Sequence, residues 1–325
     1  MSLSEKFEGS IVGLAVGDAL GYPTEFRSRE QIVETFGPEG VDDFVSQKDA
    51  RWPQKPFIVG RDHPPGTYSD DTQMSVAIAR ALIEAGDEDL DGWMQAVGRH
   101  FVEWSNSPEN NRAPGNTCMS GCRNFADTGN WRESGVADSK GCGSAMRVAP
   151  IGLYFHDDIG QLLEYARASS IITHGHDAGV EAAAAAALLV AMAVRDEEPE
   201  AMYDAIMEEC APRSDDFRAC LEKLPNVLDV EPAIALSDDG LGEAWVGEEA
   251  VASALYCFWR SPDDFARTVL TGANTDGDSD SIACIAGSIS GAFNGVGAIR
   301  TSWRENVENA GMLSEIADEL LKQVR

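Results

Sequence analysis

Two short segments of the sequence place acidic and hydroxyl side chains directly before an apolar stretch with helical periodicity. The first segment is Ser69-Asp70-Asp71-Thr72, and the second runs from Asp276 to Ser281 with carboxylates at alternate positions. Such side chains cap helices by accepting hydrogen bonds from the free amides of the first turn, but one cap needs only one of them. Adjacent carboxylates also repel one another unless a cation lies between them. Each segment therefore fits either a helix cap or part of a metal site.

The second segment does not match the calcium-binding loop of an EF-hand. If Asp276 is position one, position six is Ser281, where the loop needs glycine, and position twelve is Gly287, where it needs a bidentate glutamate. If the two segments instead converge in the fold, their carboxylate and hydroxyl oxygens would favour Mg²⁺, Mn²⁺ or Ca²⁺ over zinc. Several carboxylates in one place would also suit two metal ions, because each ion offsets the repulsion among them.

The overall charge limits the partners that the protein can have. Its 325 residues include 55 acidic and 25 basic side chains, which gives a formal net charge of −30. This balance argues against binding to nucleic acid or to an anionic membrane through a basic face. It leaves room for one small anionic ligand, because backbone amides in a pocket can bind an anion whatever the global charge.

Cysteine usage and the apolar stretches favour a reduced, cytoplasmic protein. The seven cysteines form no Cys-x-x-Cys pair, and no second pair with histidine lies near Cys118 and Cys122, so a zinc knuckle is not expected. The first residues contain no apolar core of a signal peptide. The most apolar stretch, from Ala182 to Val194, is too short to span a bilayer. We therefore expect neither a membrane span nor direct nucleic-acid binding.

Helical periodicity dominates the sequence and strand-like alternation is scarce, which predicts an all-α fold. No linker rich in proline or serine divides the chain, so residues 1–325 are expected to form a single domain. The predicted helices are Phe7–Gly21, Thr72–Ala85, Leu90–Trp104, Gly143–Tyr154, Ile159–Ile172, Asp177–Arg195, Glu200–Cys210, Glu248–Trp259, Asp263–Thr271, Ser281–Phe293 and Arg304–Val324. Each acidic segment leads into one of these helices.

Two of the predicted helices carry a row of glycines at every fourth position. The rows are Gly9, Gly13, Gly17 and Gly21, and Gly287, Gly291 and Gly295. Glycine inside a helix costs roughly 0.5–1 kcal/mol relative to alanine, so a row of them needs a structural reason. Residues four apart lie on one face, where the missing side chains let another backbone approach closely. We therefore expect both helices to be central and tightly packed.

The motifs and their order resemble the ADP-ribosylglycohydrolases, a family that includes ADP-ribosylarginine and ADP-ribosylserine hydrolases and the dinitrogenase-reductase-activating enzyme. The resemblance extends from residue 9 to about residue 295, and five motifs in the same order make it specific. The motifs are Gly13-Leu14-Ala15-Val16-Gly17-Asp18-Ala19-Leu20-Gly21 with Pro23-Thr24-Glu25-Phe26, the Ser69-Asp70-Asp71-Thr72 segment, Gly141-Cys142-Gly143-Ser144-Ala145-Met146-Arg147, Thr173-His174, and the segment from Gly277 to Ala283.

This resemblance implies a single compact multi-helix domain with two divalent cations at its centre, Mg²⁺ foremost and Mn²⁺ as the alternative. The residues that match the metal ligands of the family are Ser69, Asp70, Asp71, Asp278, Asp280, Ser281 and Glu25. Catalysis around the attacking water is expected of four of them, namely Glu25, Asp70, Asp71 and Asp280. Within this set, Glu25 is the carboxylate expected to contact metal, substrate or both.

The resemblance also implies a set of substrate-binding residues. They are Ser139, Gly141, Gly143, Ser144, His174 and Asn116. The glycine-rich segment is interpreted as a cradle of backbone amides for a diphosphate, before a helix expected to begin near Ala145. His174 matches a histidine that contacts ribose or phosphate in the family. Trp245 and most other tryptophans are expected to pack in the core or on the surface, and no aromatic side chain is assigned to adenine.

The implied reaction is hydrolysis of the bond between the distal ribose C1″ and a modified acceptor, with ADP-ribose as the product. Arginine on a protein is the acceptor expected first. O-linked ADP-ribosylserine and O-acetyl-ADP-ribose are the alternatives, because no motif fixes the leaving group, so the substrate is a modified protein or a small molecule. A further alternative is a catalytically silent ADP-ribose-binding or structural relative, against which the intact acidic set argues.

Overall fold

Helices form the regular secondary structure of residues 1–52, 63–86 and 88–324, which the computed structural model describes. Within these residues, extended backbone is paired only at isolated bridges, so the prediction of an all-α fold is confirmed. The helices are α1 (Leu3–Gly21), α2 (Arg29–Phe36), α3 (Asp70–Ala85), α4 (Leu90–Asn106), α5 (Asn116–Thr128), α6 (Trp131–Ser134), α7 (Ala149–Tyr154), α8 (Ile159–Ile171), α9 (Asp177–Val194), α10 (Pro199–Glu209), α11 (Asp215–Leu221), α12 (Leu224–Val227), α13 (Pro232–Ala235), α14 (Gly247–Trp259), α15 (Phe265–Ala273), α16 (Ser279–Asn294), α17 (Thr301–Asn306) and α18 (Ala310–Gln323).

The alanine-rich helix α9 lies inside a contiguous core of apolar side chains contributed by most of the helices. Among the described residues, α9 alone is long and apolar enough to cross a bilayer, with a mean hydropathy of 1.7 over 18 residues, but 89% of it is buried in the protein. Its one internal acid, Glu181, is also buried and accepts three hydrogen bonds from Arg167. Packing against neighbouring helices on all sides explains the apolar composition of α9.

The two glycine rows meet each other along the contact between α1 and α16. A Cβ added at Gly13 would lie 2.5 Å from the carbonyl oxygen of Gly287, and one added at Gly21 would lie 2.6 Å from the amide nitrogen of Asp280. No side chain fits at such distances, so the two backbones are in direct contact. The prediction of two central, tightly packed helices is confirmed. The contact also places the end of α1 against the start of α16, where the second acidic segment lies.

Two of the predicted helices are broken in the structure. The segment predicted as Gly143–Tyr154 is a 3₁₀ turn at Cys142–Ser144 followed by α7, because Pro150 has no amide to donate within a helix and therefore lies in the first turn of α7. The segment predicted as Arg304–Val324 is divided at Asn309, whose backbone is left-handed with φ 55°. Asparagine adopts that conformation more readily than most residues.

Six helices are absent from the sequence-based prediction: α2, α5, α11 and the four-residue helices α6, α12 and α13. Helices α2 and α11 have only 8 and 7 residues, too few turns to produce a clear apolar stripe. Their caps do carry a signal in the sequence, because Ser28 forms a capping box with Gln31 and Ser214 caps α11. Helix α5 is mostly polar and contains Gly121, which allows close approach to the Ile172 carbonyl.

Candidate active site

A buried carboxylate from α1 holds the start of α3. Asp18 accepts hydrogen bonds from the backbone amides of Ser69 at 2.8 Å and Thr72 at 2.9 Å, and from the Thr72 hydroxyl at 2.5 Å. Desolvation raises the pKa of Asp18 to about 6, although these hydrogen bonds oppose the rise. Sequence reasoning assigned no role to Asp18. The signal that could have identified it is the position of an acid inside an apolar, glycine-rich helix. The residue fixes the first acidic segment to α1.

The two acidic segments meet in the structure. The Ser281 hydroxyl donates to the Asp71 carboxylate at 3.0 Å across a sequence separation of 210 residues. Carboxylate oxygens of Glu25, Asp278 and Asp280 lie within 4.8 Å of one another, which is close enough to share a metal ion. All of these acidic side chains are buried. The segments are therefore parts of one acidic cluster, which we define as Glu25, Asp70, Asp71, Asp278 and Asp280.

The loop after α1 carries Glu25 to the second acidic segment. The Phe26 amide donates to the Gly277 carbonyl at 2.9 Å, and the Thr24 hydroxyl lies 3.0 Å from the Ser279 hydroxyl. These hydrogen bonds join the turn after α1 to the residues that start α16. Glu25 therefore lies beside Asp278 and Asp280 because of the same α1–α16 contact that the glycine rows permit.

The remaining members of the cluster accept hydrogen bonds from neighbouring loops. Asp70 accepts from the Gly115 amide at 3.2 Å, and Asp278 accepts from the Cys142 thiol at 2.8 Å. The Ser69 hydroxyl accepts from the Asp71 amide at 3.3 Å and so serves as part of the α3 cap. Each carboxylate thus keeps oxygen lone pairs available for a further ligand.

Burial and mutual repulsion make the ionised cluster unfavourable without a counterion. Desolvation, joined by the charges of neighbouring acids, raises the pKa of Asp70 to about 8 and the pKa values of Asp71 and Asp280 well above the ordinary range. Desolvation also raises the pKa of Asp278. Within the described ranges, none of these four aspartates forms an ion pair with lysine, arginine or histidine. A set of crowded oxygen ligands without a cationic partner fits a divalent metal ion.

We expect the metal-free protein to lose stability as the pH rises from about 4 to about 8. The folded state holds protons on carboxyls such as Asp70, with a pKa of about 8 against 3.8 for an ordinary aspartate, so it binds more protons than the unfolded state in this window. The free energy of unfolding then falls with rising pH, by on the order of a few kcal/mol. Urea unfolding in EDTA at several pH values would measure the slope.

The matched control for this experiment is the same titration in saturating Mg²⁺. Metal binding requires deprotonated ligands, so the metal-loaded protein should gain stability over the same pH window. A metal-free protein that is more stable at pH 8 than at pH 5 would show that folding does not raise the pKa values of these carboxyls.

The acidic cluster lines a cavity of about 210 Å³. Clefts of about 520 and 630 Å³ lie elsewhere on the described surface, away from the cluster. Of the site residues predicted from sequence, the cavity is lined by Glu25, Asp70, Asp71, Asp278, Asp280, Ser281, Asn116, Gly141, Gly143 and His174. The structure therefore brings together most of the predicted metal-binding and substrate-binding residues at one place.

Three predicted residues, Ser69, Ser139 and Ser144, do not line this cavity. The Ser139 hydroxyl shares a hydrogen bond of 3.0 Å with the Thr117 hydroxyl. The Ser144 side chain is buried and donates to the Gly179 carbonyl at 3.1 Å. Both hydroxyls thus bind protein groups that hold the loops around the cavity.

The glycine-rich segment does not have the helical setting that the sequence predicts. No α-helix begins near Ala145; a three-residue 3₁₀ turn follows Gly141, and α7 begins only at Ala149. The interpretation as a cradle at a helix N-terminus is therefore wrong, because the helix dipole lies elsewhere. The loop is held instead by a bridge between Gly141 and Val246, and both Gly141 and Gly143 line the cavity.

His174 faces the glycine-rich segment. A Cβ added at Gly141 or Gly143 would lie 3.3 Å from its Nε2 atom, so the two glycines leave room for the ring. Desolvation, with a smaller contribution from the charge of Arg147, lowers the pKa of His174 to about 3. The imidazole is therefore neutral at ordinary pH and can act as a hydrogen-bond donor or acceptor in the cavity.

Two exposed aromatic side chains stand at the opening of the cavity. Phe26 and Trp245 are 47% and 38% exposed, and their rings stack at 4.9 Å with an interplanar angle of 27°. Phe26 adopts a left-handed backbone with φ 62°, an uncommon conformation for an aromatic residue. The Trp245 ring also donates to the Glu243 carboxylate at 2.9 Å. Sequence reasoning missed this pair, because its members are 219 positions apart.

Comparison with known proteins shows a family model and several relatives that this chain matches. The family model of the ADP-ribosylglycohydrolases matches residues 1–325. A protein of Archaeoglobus fulgidus, described only as uncharacterised, is 33% identical over 98% of this chain and 96% of its own length. ADP-ribosylarginine hydrolase Tri1 of Pseudomonas putida is 24% identical, over 97% of this chain and 78% of its own. ADP-ribosylhydrolase ARH3 of Homo sapiens is 26% identical, over 93% of this chain and 89% of its own length.

The fold is shared with a solved structure as well. A chain described as an ADP-ribosylglycohydrolase-related protein complex superposes with a TM-score of 0.77 over 99% of both chains, at 24% identity. The match of the family model to the whole chain, together with the hydrolases among its relatives, makes the protein a glycosidase that acts on ADP-ribosyl linkages. The chain belongs to the ADP-ribosylglycohydrolase family.

Proposed function

We propose that the protein is a metal-dependent hydrolase that releases mono-ADP-ribose from ADP-ribosylated arginine through attack of water at the distal ribose C1″. The observation that supports it best is the acidic cluster, in which buried aspartates from two distant segments line one cavity without a cationic partner among the described residues. A purely structural protein gains nothing from such a costly arrangement.

The residues that would hold metal are the acidic cluster and Ser281, which line the same cavity; Ser69, predicted as a ligand, instead caps α3. We propose two divalent ions, with Mg²⁺ favoured because the ligands are carboxylate and hydroxyl oxygens. When bound, such ions supply Lewis acidity and lower the pKa of a bound water. The four aspartates would also keep that water in place, and Asp70, Asp71 or Asp280 would accept its proton.

The remaining residues of the cavity would bind and orient ADP-ribose. The transition state resembles an oxocarbenium ion, so a nearby carboxylate such as Glu25 would stabilise the charge that develops at the ribose. Glu25 directly precedes Phe26 in the sequence and lines the cavity together with the aromatic pair. The amides near Gly141 and Gly143, the His174 ring and Asn116 can donate hydrogen bonds to oxygen atoms of the ligand.

The opening of the cavity favours a cationic acceptor. A guanidinium group stacks on aromatic faces and is attracted by carboxylates, and the opening offers the Phe26–Trp245 pair with Glu243 and Glu25 nearby. The relative Tri1 is also named for ADP-ribosylarginine. A serine acceptor would gain little from stacked aromatic rings. These features support arginine as the modified residue.

Trp245→Ala is expected to raise the KM for an ADP-ribosylarginine peptide about three- to tenfold, with kcat nearly unchanged. The reason is the loss of a stacking face that binds the acceptor without contacting the reacting atoms. Trp245→Phe retains an aromatic face, so its KM for this peptide should stay close to the native value. An ADP-ribosylserine peptide serves as the control substrate. Equal increases of KM for both peptides would contradict an acceptor-binding role for the aromatic pair.

The proposed function is tested with a panel of defined substrates, with and without EDTA. The panel contains ADP-ribosylarginine and ADP-ribosylserine peptides and O-acetyl-ADP-ribose, and released ADP-ribose is quantified. We expect the arginine linkage to be cleaved fastest, and only with metal present. Faster cleavage of an O-linked substrate would show that arginine is not the preferred acceptor. Binding of ADP-ribose without release from any substrate would indicate a catalytically silent relative.

A further inference from the structure

Arg147 is a buried cation that the proposed mechanism does not use. Its side chain is inaccessible to solvent, and within the described residues no carboxylate lies at ion-pair distance from it. One terminal nitrogen, Nη2, donates to the Ser169 carbonyl and to the Thr173 hydroxyl, both at 2.7 Å. The guanidinium also lies 4.5 Å from the centre of the Phe101 ring. Burying a charge without an opposite charge is costly, so this position needs an explanation.

The hydrogen bond from Arg147 determines which group the Thr173 hydroxyl donates to. Arginine can only donate, so the Thr173 oxygen accepts from it and keeps one proton to give. Two acceptors are within reach, His174 Nδ1 at 2.8 Å and the Ser170 carbonyl at 3.4 Å. That carbonyl already accepts from the amides of Thr173 at 2.9 Å and His174 at 2.7 Å, which occupies both of its lone pairs. The Thr173 proton therefore goes to His174 Nδ1.

This hydrogen bond fixes the state of the His174 ring. A neutral imidazole that accepts at Nδ1 carries its own proton on Nε2. The Nε2 atom is the one beside Gly141 and Gly143, and the ring lines the cavity. The ring therefore presents an N–H donor to the cavity.

We propose that Arg147 is a positioning residue that acts through Thr173 to hold His174 as an Nε2–H donor for an oxygen atom of bound ADP-ribose. The identity of the ligand rests on the proposed function, whereas the tautomer does not. The oxygen belongs either to the diphosphate or to the distal ribose, since both accept the same hydrogen bond. Without the Arg147 donation, the Thr173 hydroxyl could rotate and accept a hydrogen bond from Nδ1–H instead. Nε2 would then be unprotonated, and it could not donate to an oxygen atom of the ligand.

The first test measures the tautomer in the ligand-free protein. Nitrogen chemical shifts of the five histidines in ¹⁵N-histidine-labelled protein separate protonated from bare ring nitrogens, and His174→Gln identifies the signals of this ring. We expect a protonated Nε2 and a bare Nδ1. A protonated Nδ1 would overturn the proposal. Because no hydrolysis is involved, this result is independent of whether the proposed function holds.

The second test removes the link between Arg147 and the ring. Thr173→Val keeps the shape of the side chain without its hydroxyl, and Thr173→Ser restores the hydroxyl. We expect the valine variant to lose the single tautomer and to bind ADP-ribose about tenfold or more weakly, and the serine variant to recover both. A valine variant with the native ring shifts and native affinity would overturn the relay.

Calorimetry with ADP as a second ligand separates the two sources of the oxygen. ADP contains the diphosphate and lacks the distal ribose. A similar loss of affinity for ADP and ADP-ribose in Thr173→Val assigns the hydrogen bond to a phosphoryl oxygen, and a loss for ADP-ribose alone assigns it to the ribose. Either result supports the proposal, and no loss for either ligand contradicts it.

Discussion

Asp280→Asn is expected to fold and to lose more than about a hundredfold in turnover of an ADP-ribosylated substrate. Asp280 is buried at the junction of both acidic segments, and its pKa is raised by burial and then by Glu25, Asp71 and Asp278. Mutation of groups that only support metal ligands costs about 10- to 100-fold, and Asp280 is placed as a ligand itself. Steady-state kinetics with Mg²⁺ supplied would measure the loss.

The matched control is Asp276→Asn, in the same loop. The Asp276 carboxylate accepts from the Arg29 amide and does not line the cavity, and the amide oxygen of asparagine can keep that hydrogen bond. The control should retain most of the activity. In EDTA, Asp280→Asn should melt at a higher temperature than the native protein, because a repelled, buried carboxyl has been removed. Near-native turnover of Asp280→Asn would contradict its place at the metal centre.

Gly17→Ala is expected to destabilise the protein by about 3 kcal/mol or more. A Cβ at this position would overlap the carbonyl group of Ala283, and backbone cannot move aside as the end of a side chain can. Any accommodation separates α1 from α16, which also shifts Asp18 and Asp280 relative to each other. We therefore expect activity to fall together with stability. Urea unfolding followed by circular dichroism measures the change.

Gly311→Ala is the matched control for this substitution. Gly311 lies in α18, and a Cβ added there meets no atom within 4 Å. Alanine should stabilise that helix by roughly 0.5–1 kcal/mol, since it restricts the unfolded chain. If Gly17→Ala unfolded at the native urea midpoint, the close contact of the two glycine rows would not be a determinant of the fold.

The parts of the site that sequence could predict are those with a local pattern. Both acidic segments begin helices, as capping chemistry suggests, and a glycine row predicts a close neighbour for its helix. The sequence also contains a signal for the break before α7, because Pro150 is not expected deep inside a helix, although the predicted helix ran through this point. Local rules describe single elements well, since they depend on neighbours along the chain.

The parts that sequence could not predict depend on contacts between distant residues. The partner amides of Asp18 lie 51 and 54 positions away, and nothing near Asp18 identifies them. The stacking of Phe26 on Trp245 joins two loops that periodicity leaves unrelated. The hydrogen-bond chain from Arg147 to His174 likewise depends on how α8 ends. Such contacts follow from tertiary packing, which a single sequence does not specify position by position.

We propose that the two acidic segments together form one metal-binding hydrolytic centre. Diffraction from crystals soaked with Mn²⁺ and ADP-ribose, recorded at the manganese absorption edge, tests it most directly. We expect two anomalous peaks for ions that Asp70 and Asp71 from the first segment and Asp278 and Asp280 from the second bind jointly, with the distal ribose beside them. Peaks at only one segment, or ADP-ribose bound away from the metal, would contradict it.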